Sequence, residues 1–386
     1  MTRTTGKYVT TTVAGEEVRA FIPHPLPPKN PPLQIDASIT EALGAARASL
    51  ARLALAGEMV PSVSWLVYAF VRKEAVLSSQ IEGTQATLVD LFTLEAMGPA
   101  EAPEGSDVDE VCNYLDALSY ARSELQRPKG LPLSIRLLNQ THRRLMAGRP
   151  GAGVRPGEVR RSQNWVGGTR PGNAVFVPPP PQTLAEALGA FERSIHANQR
   201  MDPIVRSALL HAQFETIHPY LDGNGRVGRL LITLLLEHWG LLNEPLLYLS
   251  LFFKRHRDEY YRLLGAIRTD GDWEGWVTFF LEGVRVTADE TTATVRDLFS
   301  LVSDDRTAVL AHPATTVAAA RLFEELPRHP MVTVAGVTAI LGATKPTAAK
   351  AISALVDAGI LVETTGRRRD RLFSYAAYLD LLREES

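Results

Sequence analysis

His218, Asp222, Arg226 and Arg229 fall within one short stretch, HPYLDGNGRVGR, that sets an imidazole, a carboxylate and two guanidiniums around a glycine-rich turn. Few structural needs call for that mixture, whereas a metal-bound nucleoside triphosphate does. An ordinary imidazole titrates at about 6.5, so His218 can accept a proton from an attacking hydroxyl at neutral pH. Asp222 suits a hard cation such as Mg2+, which keeps several waters and shares other positions with substrate phosphates. Arg226 and Arg229 are three apart, hence neighbours on one helical face, where guanidiniums grip phosphate oxygens bidentately. Together these groups fit transfer at phosphorus, a reaction run on positioning and electrostatics.

The flanking residues say how that stretch is held. Asp202-Pro203 reads as an N-cap followed by proline at the first helical position. Ile204, Ala208, Leu209, Ala212 and Ile217 then recur at helical spacing. Pro219 disfavours helical geometry at the residue before it, so this helix should end at His218 and present the imidazole in a loop. Gly223, Asn224 and Gly225 tolerate a tight turn. A second helix should then run to Trp239 and stop at Gly240. Its run from Leu230 to Leu236 is apolar on every side, which predicts a central, buried helix. The start of that helix aims backbone N–H groups and a positive dipole end at whatever lies over the turn.

The pattern His-Pro-x-x-Asp-Gly-Asn-Gly-Arg-x-x-Arg resembles the signature of the Fic family, departing from it at Tyr220, where Phe is common. The resemblance implies transfer of AMP from ATP to a protein hydroxyl of Tyr, Thr or Ser, with Mg2+ as cofactor. It implies that His218 deprotonates the target hydroxyl and that Asp222 binds the metal. Asn224, with the backbone of Gly223 and Gly225, would form the anion hole. Arg226 would hold the inner phosphates and Arg229 the terminal one. The family's phosphate-transferring branch carries Lys in this loop, so Gly225 and Arg226 favour AMP transfer. Arg160 to Leu184 has Gly-Gly and Pro-Gly turn signals around short β-leaning pieces, then a proline run. It looks like the family's β-hairpin flap, which holds the target backbone by strand addition, with Ala174, Val175, Phe176 and Val177 as the pairing strand. From the residues alone an ordinary surface hairpin with a rigid proline exit fits as well. Thr183 and Glu186 read as a capping box opening a helix to about Asn198.

Residues 62 to 82 read as one amphipathic helix with Ser78 and Glu82 on one face and Gly83 as its stop. Periodicity alone makes Glu82 a solvated residue at a helix end. Ser-x-x-x-Glu-Gly, however, is similar to the inhibitory motif of Fic proteins. That resemblance implies that Glu82 pairs with Arg229 and blocks productive placement of the ATP terminal phosphate. It also leaves open that Glu82 orients a water to remove AMP from a modified protein.

The chain has 386 residues, 45% hydrophobic and 22% charged, enough for two or three domains with a large core. A formal net charge of -2 argues against a globally basic nucleic-acid binder. The single cysteine, Cys112, reads as a small buried residue in a helix. No apolar run reaches membrane-spanning length and the polar start does not resemble a secretory signal, so the expected location is cytoplasmic. Prolines between Phe21 and Leu33 predict an extended strap. Further helices are expected at about Ser38–Gly57, Ser106–Leu125, Ser134–Met146, Leu246–Ile267 and Trp273–Val302, with a boundary loop from Met97 to Gly105.

Past Pro330 a short helix, a turn at Gly342 and a second helix ending at Gly359 lead into a hairpin with a basic tip. Ala348, Ile352, Leu355 and Val356 form the second helix's buried stripe, leaving Thr347, Lys350, Ser353 and Asp357 outward. This part resembles a winged helix-turn-helix. In a DNA-binding version Thr347 and Lys350 would face the major groove, and Arg367, Arg368, Arg369 and Arg371 would meet phosphates or the minor groove. From Arg306 onward ten Lys/Arg stand against eight Asp/Glu, a modest +2 for a DNA binder. Dimerisation or target docking fits this part as well.

The expected architecture is therefore mainly α: a Fic-fold helical core with a small β-hairpin flap, plus a C-terminal winged-helix domain. Residues 1–105 would hold the strap and inhibitory helix, 106–303 the catalytic core and 304–386 the winged helix. Expected partners are a protein substrate, the chain itself as a target, DNA through 304–386 and a second copy of the chain. A different class of function also stays open, a transcription regulator that senses nucleotide in its core and binds DNA through its C-terminal part.

Overall fold

Long runs free of proline, broken by capped turns, make the chain mainly helical. The computed structural model describes residues 3–59, 63–98, 107–148, 155–197 and 200–383. The chain opens with strands β1 (Gly6–Val13) and β2 (Glu16–Pro23). Helices α1 (Ala37–Met59), α2 (Val63–Ile81), α3 (Leu88–Met97), α4 (Asp107–Gln126), α5 (Ile135–Leu145), α6 (Leu184–His196), α7 (Pro203–Ile217) and α8 (Asn224–His238) follow. Next come α9 (Ser250–Arg255), α10 (Arg257–Thr269), α11 (Trp273–Ala311) and α12 (Val317–Glu325). The chain then runs through β3 (Met331–Thr333), α13 (Val334–Leu341), α14 (Lys345–Asp357), β4 (Val362–Glu363), β5 (Leu372–Ser374) and α15 (Ala376–Arg383). These residues form two units. One holds Met1–Ala51, Asn113–Asn243 and Leu249–Thr287; the other holds Arg52–Cys112, Glu244–Tyr248 and Ala288–Ser386.

In the first unit, β1 and β2 pair antiparallel from Gly6↔Pro23 to Val13↔Glu16. Ala14 and Gly15 both take positive φ (50° and 84°), the turn that matches the twist of a two-residue hairpin. The proline strap is tied down by Arg3, which donates to the carbonyls of Pro31, Pro32 and Gly271 and forks onto both oxygens of Glu274. The core centres on α7 and α8, and Leu230 to Leu236 are all buried, as their all-round apolar character requires. His211 joins three helices: its ring nitrogens lie 2.9 Å from the Gly228 carbonyl and 2.9 Å from the Tyr260 hydroxyl. Burial holds this imidazole neutral, pulling its pKa down to about 3. The indole of Trp276 donates to Ala208 O at 2.8 Å, seating α11 on α7.

In the second unit, one face of α2 packs on the C-terminal segment. Trp65 lies 6.1 Å from Tyr378, and Tyr68 lies 6.1 Å from Phe92 and 6.4 Å from His329. Arg72 covers the Tyr68 ring at 3.3 Å and grips both oxygens of Glu95. The three short strands form an antiparallel sheet in the order β3-β5-β4. Gly342 (φ 60°) turns the chain from α13, and Thr344 caps α14.

Several expectations need correction. The helix expected over Leu246–Ile267 begins at Ser250 and breaks at His256, whose ring nitrogen lies 3.0 Å from the Phe252 carbonyl. Helix α11, expected to end at Val302, runs on to Ala311. Between Gly283 and Pro313 the chain has neither glycine nor proline to stop it. On α14, Ala348, Ile352 and Leu355 are buried as expected, but Val356 is 37% exposed and Ala351 and Ala354 complete the stripe. Cys112 is half-buried, and burial raises its thiol pKa. Ser106, the expected cap of α4, and the loop up to Gly105 lie outside the described residues apart from Met97 and Gly98.

Candidate active site

Asp202 caps α7 by accepting from Ile204 N, with Pro203 at the first position. The helix ends at His218, whose N–H still donates to Phe214 O at 2.9 Å while its backbone turns left-handed (φ 48°, ψ 62°). Proline at 219 bars the helical alternative, and the turn lifts the half-buried imidazole off the helix. The chain re-enters helix at α8 through Gly223 (φ 76°), where a Cβ would sit 2.8 Å from Met146 Sδ. A left-handed non-glycine residue costs on the order of 1–2 kcal/mol. Each large apolar side chain buried in α7 and α8 returns roughly 1.5–3 kcal/mol, so the flanking helices hold the strained loop between them.

No side chain caps the start of α8, so its first-turn N–H groups point into the loop. Asp222 is exposed, with one carboxylate oxygen accepting from Gly223 N at 2.6 Å and 3.9 Å from Arg226 Nη2. Arg226 and Arg229 are 1% and 2% exposed, and Gly225 is half-buried. Asn224, for which the resemblance implies an anion-hole role, also holds the loop. Its side chain accepts from Tyr220 N at 2.8 Å and donates to Tyr220 O at 2.9 Å, closing the loop on itself. The second N–H of its amide and its backbone can still face an anion.

Four residues outside the motif hold this loop: Asn139, His142, Arg160 and Asn164. The Tyr220 hydroxyl, absent where the motif has Phe, donates to Asn139 Oδ1 at 2.8 Å. The Tyr220 ring stacks on His142 at 3.8 Å between centroids. Arg160 is 2% exposed and spends its guanidinium on carbonyls: His218 O at 2.9 Å, Ser162 O at 3.2 Å and Pro179 O at 2.6 Å. Burial lowers its pKa to about 10. Asn164 Nδ2 donates to Tyr220 O at 3.1 Å. The spacing rules of single helices cannot find such residues, because they act on groups far away in sequence.

The flap departs from its expected strand. Ala174 to Val177 forms one bridge, Val166↔Phe176, with bonds of 2.8 and 3.1 Å. A 3-10 turn over Pro171–Asn173 stands upstream, held by Asn173 Oδ1 accepting from Thr169 N and Arg170 N. Downstream, Pro178 to Pro181 lack the N–H groups that would extend a ladder. Val175 is 82% exposed, while Val177 O accepts from Phe21 N of β2 at 2.9 Å. The expected capping box at Thr183 is also absent. That residue is already helical in φ and ψ and donates its hydroxyl to Pro180 O, because a 3-10 turn leads straight into α6. Helix α6 ends at His196; Asn198 lies outside the described residues.

Beside the flap lies a cavity of about 660 Å³, whose walls include Tyr8, Arg19, Val175, Phe176, Tyr261 and Arg268. Arg268 stacks over Phe176 at 3.9 Å, and burial lowers its pKa to about 10. The Glu215 carboxylate on α7, one turn before His218, opposes that shift.

In the second unit, α2 ends at Ile81, so Glu82 stands in the turn after it and not on the helix. Ser78 is fully buried, Glu82 is exposed, and Gly83 takes φ 104°. Thr347 and Lys350 on α14 and Arg367, Arg368, Arg369 and Arg371 between β4 and β5 are exposed. Arg371 Nη2 lies 3.9 Å from Glu363.

Residues 40–123 match the Fic/DOC family N-terminal profile and residues 132–236 the Fic/DOC family profile. In these two segments the chain is similar to the Fic/DOC family. A protein adenylyltransferase Fic of Drosophila ananassae is 31% identical to it over 214 residues, 54% of this chain and 39% of that protein. The Drosophila melanogaster protein of the same name is 30% identical over the same shares. The chain thus spans about two-fifths of the length of the curated relatives it matches. A Fic family protein from Desulfovibrio desulfuricans shares 20% identity over 89% of this chain and 97% of its own, with a TM-score of 0.55. A Fic domain containing signaling protein from Bacteroides thetaiotaomicron shares 17% identity over 66% and 97%, with a TM-score of 0.51. These likenesses make the fold a mainly helical Fic fold. Among the described residues no helix is long and apolar enough to cross a membrane.

Proposed function

We propose that this chain is a Fic protein that transfers AMP from ATP to a protein hydroxyl, with Glu82 as an intramolecular brake. The supporting observation is the loop between α7 and α8. It lifts His218 off one helix end beside the uncapped start of the next, where Asp222 is exposed and Arg226 is buried within 3.9 Å. In this reading His218 takes the proton of the target hydroxyl. The hydroxyl oxygen bonds to the α-phosphorus, the α–β bridging bond breaks, and pyrophosphate leaves. The N–H groups at the start of α8 and the guanidiniums of Arg226 and Arg229 hold the phosphate charge.

The donor set fits Mg2+. Asp222 offers one exposed carboxylate, and no group of three or more His, Cys, Asp or Glu forms a cage among the described residues. A cation there would draw most of its ligands from phosphate and water. When bound, Mg2+ would neutralise phosphate charge. The cavity between flap and α10, with its rings and Arg268, is of a size to take the nucleoside. The exposed flap edge at Val175 would take the target backbone. ATP labelled at the α-phosphate should label the target, whereas ATP labelled at the γ-phosphate should not. Label arriving only from the γ position would replace AMP transfer by kinase chemistry.

A second reading concerns residues 304–386. The helix pair α13–α14, the three-stranded sheet and the four exposed arginines support a winged helix that binds DNA. The full chain should then retard duplex DNA at low salt, and Arg367→Gln with Arg368→Gln and Arg369→Gln should weaken that binding by about tenfold or more through lost phosphate contacts. No retardation at low salt would reject it.

A further inference from the structure

Helix α5 carries a side chain toward the loop whose two ring nitrogens do different work. His142 Nε2 lies 3.0 Å from the Asp222 carbonyl, and the Gly157 N–H donates to Nδ1 at 2.8 Å. A carbonyl only accepts, so Nε2 must carry the proton; an N–H only donates, so Nδ1 must be bare. One neutral tautomer satisfies both bonds. The ring is 2% exposed and lies flat on Tyr220, with 5° between the planes, while Asn139, one turn earlier on α5, accepts the Tyr220 hydroxyl. Gly157 is fitted to its role: it takes φ 80°, and a Cβ there would lie 2.9 Å from both Asn139 O and Arg143 Cβ. Only glycine lets that N–H approach so closely.

We propose that His142, oriented by Gly157, is a positioning residue of the phosphate-binding loop. It fixes the Asp222 backbone and the Tyr220 ring so that the Asp222 carboxylate and the His218 imidazole keep their mutual geometry. The effect on transfer rests on the AMP-transfer reading above; the effect on the loop does not. Arg226 and Arg229 stand on α8, outside the clamp, so nucleotide affinity should survive its loss while the chemical step suffers.

The test compares four full-length chains: unsubstituted, His142→Phe, Gly157→Ala and His142→Gln. Phenylalanine keeps the stack on Tyr220 and loses both hydrogen bonds. Glutamine retains a donor toward the Asp222 carbonyl. Amide hydrogen exchange in residues 220–225 should quicken at least tenfold in His142→Phe and Gly157→Ala, with α5, α7 and α8 still protected, and His142→Gln should lie between. The kcat for AMP transfer should fall by about 100-fold with the KM for ATP within about threefold, because misplacement acts on chemistry rather than on binding. Unchanged loop exchange in His142→Phe would overturn the proposal. So would exchange that rises evenly through the three helices, or a loss carried in KM. If even the unsubstituted chain and its Glu82→Gly form transfer no AMP, the AMP-transfer reading fails, and the exchange pattern still decides the clamp.

Discussion

His218→Ala should lower AMP transfer by about 10²- to 10⁴-fold, the range a positioned general base supplies, while leaving nucleotide binding within a few-fold. Several bonds that hold the loop run to its backbone atoms. Arg160 grips His218 O and donates its own N–H to Pro219 O, and Asn224 bonds the Tyr220 backbone on both sides. Truncation at 218 therefore removes the base and leaves its frame. Alanine is strained at φ 48°, so His218→Asn, which tolerates left-handed backbone, serves as the companion variant. Both should bind ATP by calorimetry and neither should transfer. Transfer at the unsubstituted rate by either variant would remove His218 from the mechanism.

Glu82→Gly should raise modification by about 10- to 100-fold. A charge-assisted Arg–carboxylate contact is worth about 1.5–3 kcal/mol, which is that factor in access of a competing phosphate to Arg229. The substitution removes no core packing, since Glu82 is exposed in the turn after α2, whereas Ser78 is buried in the helix itself. Glu82→Gln keeps the size, discards the charge and should also activate. Initial rates of AMP incorporation into the chain or a partner protein, measured at equal protein concentration, give the comparison. Equal rates in all three forms would reject the brake.

The sequence made the chemistry legible where it was local. Asp202-Pro203, Pro219 and the glycines at 223 and 225 are each read from backbone preferences, and the ends of α7 and α8 fall where those preferences put them. The burial of Leu230 to Leu236 followed from a run with no polar face. What stayed hidden acts across the fold. His142 and Arg160 bond carbonyls of residues 80 and 58 positions away, and no periodicity announces a side chain whose partner is a distant backbone. Within the flap the pairing is confined to Val166 and Phe176, because turn bonds of Asn173 and the proline run take the neighbouring backbone out of a ladder. Thr183 lost its cap to a 3-10 turn. The cavity beside α10 gathers Tyr8, Phe176 and Arg268 from three separate parts of the chain, so it exists only once the fold has brought them together.

Intact-mass analysis of the Glu82→Gly chain after incubation with ATP and Mg2+ tests the account most directly, with the Glu82→Gly, His218→Ala double variant beside it. The account predicts one or more added AMP groups on the first and none on the second. An added phosphoryl group alone, AMP on both chains or no added mass on either would contradict it.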